Sequence, residues 1–187
     1  PRTPTQDAVL NASDLVASEG SVVSSVGGTN SVDVNGNIVA AAIEADPATE
    51  NGAVAFYDPS SLEFVNAVSV GPLPDKVTIA PGGNYVVVAN EGEPGDSTDP
   101  AGSVSVIDIS QGVQNASVST ATFDQFDGQE TALREEGVHL VAPGDDDAVA
   151  STVIEPEFVT VSPDGERAFV SIQENNAIAT VDLASAT

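Results

Sequence analysis

The apolar and polar residues divide the chain into short segments rich in Val, Ile and Ala, each ended by Gly, Pro, Asn or Asp. The clearest internal match aligns residues 74–88 with 156–170 without a gap. Each copy contains two apolar runs separated by a Pro-x-Gly turn, Pro81–Gly83 in one and Pro163–Gly165 in the other. Pro presets φ at the first turn position and Gly supplies the positive φ at the end. Both copies therefore predict β-hairpins.

Each hairpin is followed by a third apolar run that ends in Asp, at 102–108 and at 176–182. A weaker copy begins with the hairpin 30–43, in which Asn35-Gly36 is a strong turn signal, and continues through 52–58. The run 64–70 then predicts a fourth, outer strand for this first unit. Four-stranded units that repeat every 45–50 residues or so are typical of β-propeller blades.

The sequence thus predicts an all-β fold made of about three four-stranded blades from a larger, seven-bladed β-propeller. The insertion between the second and third units predicts one short helix, with Asp127 as its N-cap and Gly137 at its end. We expect the remaining blades of the ring elsewhere in the same propeller or on another chain. The predicted divisions of this single partial propeller domain (1–187) are the end of a preceding blade (1–28), a blade (29–73), a second blade (74–125), a helix-containing acidic insertion (126–155) and an incomplete blade (156–187).

The amino-acid composition limits the classes of molecule that the chain can bind. The chain has 29 acidic residues against four Lys and Arg, which gives a formal net charge of −25. Such a surface repels nucleic acid and anionic lipid, attracts cations and tolerates high salt, as in proteins of halophilic or marine origin. No apolar run reaches the roughly 18 residues that span a bilayer, so direct membrane insertion is not expected. The absence of cysteine excludes disulfides and Cys-based zinc sites.

The loop at residues 90–100 is the strongest candidate for binding chemistry. It concentrates carboxylates and contains two glycines that permit tight turns. Ca²⁺ prefers six to eight oxygen ligands, so the loop predicts a calcium site, although its spacing is not that of an EF-hand. A solvated acidic loop in a chain that is acidic throughout is the simpler reading. The predicted metal ligands are Glu91, Glu93, Asp96 and Asp99.

The internal repeat suggests that several polar residues lie on one rim of the propeller. Glu44, Glu91 and Gln173 occupy equivalent positions after the second strand of their units. A hydrated turn on each blade would produce the same pattern. The remaining candidates for ligand binding at this rim are Asn30, Asn90, Glu174 and Asn175, and the run Asp145–Asp147 could add to a cation site.

Several motifs occur in an order that resembles a known family. They are the segments 27–32, 73–75, 89–94, 102–108, 126–129 and 173–178. Together they resemble the choice-of-anchor I family of large secreted or surface-anchored microbial β-propellers. Some members are labelled alkaline-phosphatase-like or mesenchyme-specific cell-surface-glycoprotein-like. The resemblance implies an extracellular or cell-surface location and carries over no catalytic residues.

Three functions fit these observations. The first is an extracellular propeller scaffold that binds a protein or small ligand at an acidic rim, with structural Ca²⁺. The second is a metal-dependent phosphoesterase, which the family labels suggest and the scarcity of Lys and Arg disfavours. The third is a structural subunit of a surface layer or filament. The sequence contains no nucleophile elbow, P-loop or H-E-x-x-H motif, so we do not favour an enzyme; any activity would be that of a metal-dependent phosphoric ester hydrolase.

Overall fold

The computed structural model describes residues 9–10, 12–15, 22–140 and 149–187, and in these residues the strands form three antiparallel sheets. The first sheet contains β1 (Val26–Asn35), β2 (Ile38–Ala45), β3 (Asn51–Tyr57) and β4 (Phe64–Pro72). The second contains β5 (Pro74–Ile79), β6 (Tyr85–Asn90), β7 (Ser103–Asp108) and β8 (Ser117–Thr122). The third contains β9 (Phe158–Val161), β10 (Arg167–Ile172) and β11 (Ala177–Asp182). The helical segments are Ala12–Leu15, Val113–Asn115 and Asp124–Phe126, all 3-10, and the α-helices α1 (Glu130–Glu135) and α2 (Ala150–Val153).

Each sheet is a meander in which strands consecutive in sequence lie side by side. The all-β class is confirmed, and the predicted turn residues make the hairpins. Gly36, Gly83 and Gly165 have φ values of 41°, 72° and 77°, which is the conformation that glycine adopts without strain. The turn chemistry in the sequence therefore determines where each hairpin reverses.

The Asp that ends the third strand of each sheet stabilises the following turn. The carboxylates of Asp58 and Asp182 each accept hydrogen bonds from the N–H groups two and three residues further on, and Asp108 accepts the bond from two residues on. Hydrogen bonds from Ser61, Ser110 and Ser185, respectively, lower the pKa of these three carboxyls. This explains why Asp recurs at that position of the repeat.

The sheets pack face to face through small and β-branched side chains. Val54 and Phe56 of the first sheet pack with Val86 and Val88 of the second, and all four are fully buried. The opposite face of the second sheet packs against the third. The residues of that second core include Val87, Ala89, Val104, Ala168 and Val170. Both faces of the second sheet are therefore apolar, which accounts for its nearly continuous Val-rich strands.

The first strands of the three sheets are also linked by side chains. On the edge of β5 away from β6, the N–H groups of Val77 and Ile79 donate to Ser31 Oγ and Asp33 Oδ2 of β1, both at 2.8 Å. Thr78 Oγ1 in turn donates to the carbonyl oxygen of Val159 in β9 at 2.9 Å. Edge N–H groups that would otherwise be buried and unpaired thus find partners in the neighbouring sheet.

The segment between β8 and β9 holds both α-helices. The predicted end of the first helix is confirmed, since Gly137 follows α1 with φ of 96°. The N-cap prediction is wrong because Gln129 takes that position, while the carboxylate of Asp127 accepts bonds from the N–H and Oγ of Ser151. The structure adds α2, which the sequence pattern did not predict. Asp127 thus joins α2 to the residues before α1.

We expect the links from β1 to β5 to contribute measurably to stability. Replacing Ser31→Ala and Asp33→Ala together leaves the N–H groups of Val77 and Ile79 without partners, at a cost of about 1–3 kcal/mol each. Val32→Thr, an exposed change on the same strand, is the matched control. Urea denaturation measures the free energy of unfolding, and a loss no larger than that of the control would contradict this role.

Candidate functional site

The acidic loop after β6 is held at both ends by close backbone contacts. The N–H of Glu91 donates to the carbonyl oxygen of Leu73 at 2.9 Å. Gly92 has φ of 74°, and a Cβ there would lie 2.7 Å from the nitrogen of Gly102. Only glycine fits this approach without strain. The backbone therefore holds Glu91 in place where β5 and β6 meet, while the rest of the loop is exposed.

Carboxylates from this loop meet others from β2, from the starts of β5 and β9, from the end of the insertion and from the turn after β10. We call this group the acidic cluster. Electrostatic interactions connect its members, which are Glu44, Asp75, Glu91, Glu93, Asp99, Glu155, Glu157 and Glu174. Part of the cluster lines a recess of about 290 Å³, together with Pro94, His139, Thr152, Val153 and Asn175. The recess lies between the second sheet, the third sheet and the insertion.

Glu91 and Asp75 form one pair of interacting carboxyl groups within the cluster. Burial and the nearby charges of Asp75, Glu93 and Glu155 raise the pKa of Glu91 to about 8. Burial also raises the pKa of Asp75, while a hydrogen bond from Glu91 opposes that rise. Because the pKa values of both carboxyl groups are raised, this pair takes up a proton more readily than two isolated carboxyl groups do.

Glu155 and Glu174 form a second pair across the recess. Burial, the charge of Glu174 and a hydrogen bond to Glu174 raise the pKa of Glu155 to about 7. Burial and the same Glu174 charge also raise the pKa of Glu157. Like charges this close favour the uptake of protons or of other cations. The cluster is therefore a region where negative charge is accumulated and only partly neutralised.

Asn175 holds the middle and the end of the insertion against the third sheet. Its Nδ2 donates to the carbonyl oxygens of His139 and Val153 at 2.7 and 2.6 Å, and its Oδ1 accepts from the N–H of Glu155 at 3.1 Å. The residue is 3% exposed. Because these bonds occupy both its oxygen and its nitrogen, Asn175 positions Glu155 and Glu174 beside the recess.

The other predicted rim residues lie in different surroundings. Asn30 Nδ2 donates to Glu44 Oε2 at 3.2 Å, at the edge of the acidic cluster. Asn90 is fully buried against Gly71, where it donates to Ser103 Oγ and Ser105 Oγ. Gln173 lies outside the recess, in a surface depression with Asn176 and Ile178.

The predicted metal ligands are only partly brought together. Glu91, Glu93 and Asp99 line the recess, while Asp96 is exposed in the loop and does not. In the described ranges, no three His, Asp or Glu side chains are already arranged to hold a metal ion. The run Asp145–Asp147 lies outside the described residues.

Sequence reasoning missed three members of the acidic cluster. Asp75 and Glu157 occupy the same position in the aligned copies, one residue after Pro74 and Pro156. An acidic residue at the start of each first strand was a signal that could have been used. Glu155 gave no such signal, because the docking of the insertion places it in the recess.

Comparison with models of known protein families identifies the family of this chain. Residues 4–187 match the model of the choice-of-anchor I domain. The chain belongs to the choice-of-anchor I family. A search of curated proteins found no match to the chain.

The fold of this choice-of-anchor I chain is similar to a solved structure, Kuenenia stuttgartiensis hydrazine synthase. The TM-score is 0.54 at 15% sequence identity, and the match covers 83% of this chain. It covers 40% of the hydrazine synthase chain, so our chain spans well under half of that protein. At this identity the likeness concerns the fold alone.

Membership of the family indicates a surface-associated or secreted protein. Among the described helices, none combines the length and apolar character that crossing a bilayer requires.

Replacing Asn175→Ala should destabilise the chain by about 3 kcal/mol, because buried backbone groups of the insertion lose their partners. The neighbouring change Gln173→Ala is the control and should alter the free energy of unfolding by less than about 0.5 kcal/mol. Chemical denaturation monitored by circular dichroism measures both. Equal effects for the two variants would show that Asn175 does not hold the insertion.

The acidic cluster predicts that stability falls as pH rises from about 5 to 8. Glu91 and Glu155 bind protons more tightly in the folded chain, so unfolding releases protons in this range and becomes easier as pH increases. Replacing Glu91→Gln and Glu155→Gln keeps a hydrogen-bond donor without the charge. This should raise the free energy of unfolding at pH 8 by roughly 1 kcal/mol, a value reduced by solvent screening.

The control for this pH dependence is Glu135→Gln, on an exposed position of α1. Thermal denaturation at pH 5, 6.5 and 8 gives the comparison. A double variant that follows the same pH profile as Glu135→Gln would contradict the assignment of the two carboxyls.

Proposed function

We propose that this chain is part of a surface-associated β-propeller scaffold that binds cations, with Ca²⁺ preferred, at its acidic recess. In this proposal the three sheets are successive blades, and the bound ion stabilises a rim that presents a protein or small ligand. The observation that carries the proposal is the meeting of carboxylates from two sheets and the insertion around one recess.

The arrangement of the sheets supports the propeller. Each is a meander of consecutive antiparallel strands, and neighbouring sheets pack face to face through apolar cores. Their first strands, β1, β5 and β9, lie next to one another and are joined by side-chain hydrogen bonds. Radial repetition of such sheets around first strands is the propeller arrangement.

The electrostatics of the recess support cation binding. Glu91 and Glu155 have raised pKa values because burial and neighbouring carboxylates disfavour their ionised forms. A divalent cation could replace the protons that these pairs retain, and would stabilise the ionised forms of several carboxylates at once. Carboxylate oxygens are the ligands that Ca²⁺ prefers in proteins.

The positively charged residues near the recess do not favour a phosphoesterase. Lys76 Nζ donates to the carbonyl oxygen of Val77 and lies 5.5 Å from the centre of the Phe158 ring. Arg134 Nη2 donates to the carbonyl oxygen of Leu140. Neither lines the recess, so a phosphate group there would meet carboxylates. Binding of a cation therefore agrees better with these contacts than turnover of a phosphate ester.

The proposal predicts that Ca²⁺ stabilises the folded chain. At pH 7.5, 10 mM CaCl₂ should raise Tm by about 3–6 °C if the dissociation constant is about 1 mM, a value typical of extracellular calcium modules. The shift should shrink at pH 5, where protons compete for Glu91 and Glu155. Differential scanning calorimetry, with NaCl at equal ionic strength as reference, measures it.

Matched variants assign the effect to the recess. Glu91→Gln with Glu155→Gln should remove more than half of the calcium-dependent rise in Tm, whereas Glu135→Gln should keep it. The proposed site would be refuted if NaCl reproduced the rise in Tm, or if the double variant and Glu135→Gln kept it equally. In either case calcium would act only by screening the net charge of the chain.

A further inference from the structure

The second sheet contains three buried polar residues at positions where the other two sheets are apolar. They are Asn90, Ser103 and Ser105. The aligned units place one Ile and two Ala at these positions, namely Ile43, Ala53 and Ala55 in the first sheet and Ile172, Ala177 and Ala179 in the third. Since Ile and Ala fill the same positions in two sheets, packing does not account for the polar residues of the second sheet.

The hydrogen bonds of these three residues, which we call the polar triad, are incomplete. Asn90 Nδ2 donates to Ser103 Oγ at 3.1 Å and to Ser105 Oγ at 2.9 Å. Asn90 Oδ1 is buried and has no partner within the described ranges of the chain. Exchanging the oxygen and nitrogen of this amide would leave the nitrogen without a partner instead. Buried polar atoms without partners are rare and destabilising, and they are expected mainly at functional sites.

A cleft between the first and second sheets lies directly in front of the polar triad. Both sheets have all four strands, and the cleft has a volume of about 280 Å³. Gly71 brings the amide of Asn90 to its floor, because a Cβ on Gly71 would lie 2.8 Å from Asn90 Cγ. We call it the hydroxyl cleft, and six of the residues that line it are Asn51, Ser69, Gly71, Ser103, Thr120 and Thr122.

The side chains of the hydroxyl cleft offer both donors and acceptors of hydrogen bonds. Ser69 Oγ donates to the carbonyl oxygen of Gly52 at 3.4 Å, so its lone pairs remain able to accept. Ser103 Oγ accepts from Asn90, so its own proton can be donated into the cleft. Thr120 makes no side-chain hydrogen bond with other described residues. The residues that line the cleft include no charged side chain.

We propose that the hydroxyl cleft binds one neutral sugar ring through the hydroxyl groups of Ser69, Ser103 and Thr120, while Asn90 orients Ser103 from behind. Sugar hydroxyl groups donate and accept at once, as Ser, Thr and Asn side chains do. The net charge of −25 repels anionic ligands, and cations are attracted to the acidic cluster instead. The volume is close to the lower limit of ligand pockets, about 300 Å³, which suits a single ring.

The test titrates the isotope-labelled chain with D-glucose, D-galactose and N-acetyl-D-glucosamine in the presence of EDTA and follows the backbone amides by NMR. At least one sugar should shift the amide signals of Gly71, Ser103 and Thr120 saturably, with a dissociation constant of about 1–10 mM, as for other ligands of about a dozen heavy atoms. The 6-phosphate of the bound sugar should bind about tenfold more weakly, because the chain repels anions. EDTA removes divalent cations, so the result is independent of the calcium proposal.

Matched variants of β8 locate the sugar. Thr120→Val removes a hydroxyl group but keeps the branched shape, and it should weaken binding about three- to tenfold, which is the effect of one neutral hydrogen bond. Thr120→Ser restores the hydroxyl group and should recover most of the affinity. Ser119→Ala changes the neighbouring residue, which does not line the hydroxyl cleft, and should leave binding unchanged.

The proposal is wrong if none of the three sugars shifts these amide signals at about 100 mM, ten times the weakest expected dissociation constant. The polar triad would then have a structural role only. Shifts concentrated at Glu91 and Glu155 would also overturn it, because they would place the sugar in the acidic recess. Equal weakening of binding by Thr120→Val and Ser119→Ala would overturn it as well.

Discussion

The packing of apolar sheet faces against one another is the constraint on which the rest of this structure depends. The chain has few aromatic residues and no cysteine, so Val, Ile and Ala must provide the core. These side chains are short, and they fill an interior only where sheets lie face to face. The second sheet, with apolar residues on both faces, is therefore the centre around which the other two are placed.

Face-to-face packing also brings the mutually repelling carboxylates of the acidic cluster together. Once the sheets are stacked, the ends of neighbouring strands and their turns are brought close together. In a chain of net charge −25, those ends carry carboxylates without enough Lys or Arg to neutralise them. As a result, the pKa values of Glu91 and Glu155 are raised. The packing of the sheets thus holds together carboxylates that repel one another. Dissolved cations screen this repulsion and so reduce its strength.

The strands could be predicted from the sequence because their signals are local. The Pro-x-Gly and Asn-Gly turns and the Asp at the end of each third strand act on adjacent residues, and the structure has them as expected. The acid pairs depend instead on which residues meet across sheets and across the insertion. Asn175 illustrates the difference. In the polar turn 173–176 it looks the same as its neighbours, and only the docked insertion buries it.

The contacts of Asn175 have a consequence for how this fold can change in length. One side chain ties His139 to Val153, so the chain between them begins and ends at fixed, neighbouring points. The entropic cost of closing such a loop grows slowly, by about 0.6 kcal/mol for each doubling of its length. Extra residues inserted after Leu140 and before Ala150, both of which are buried, should therefore cost little free energy of folding while the neighbouring sheets keep their register.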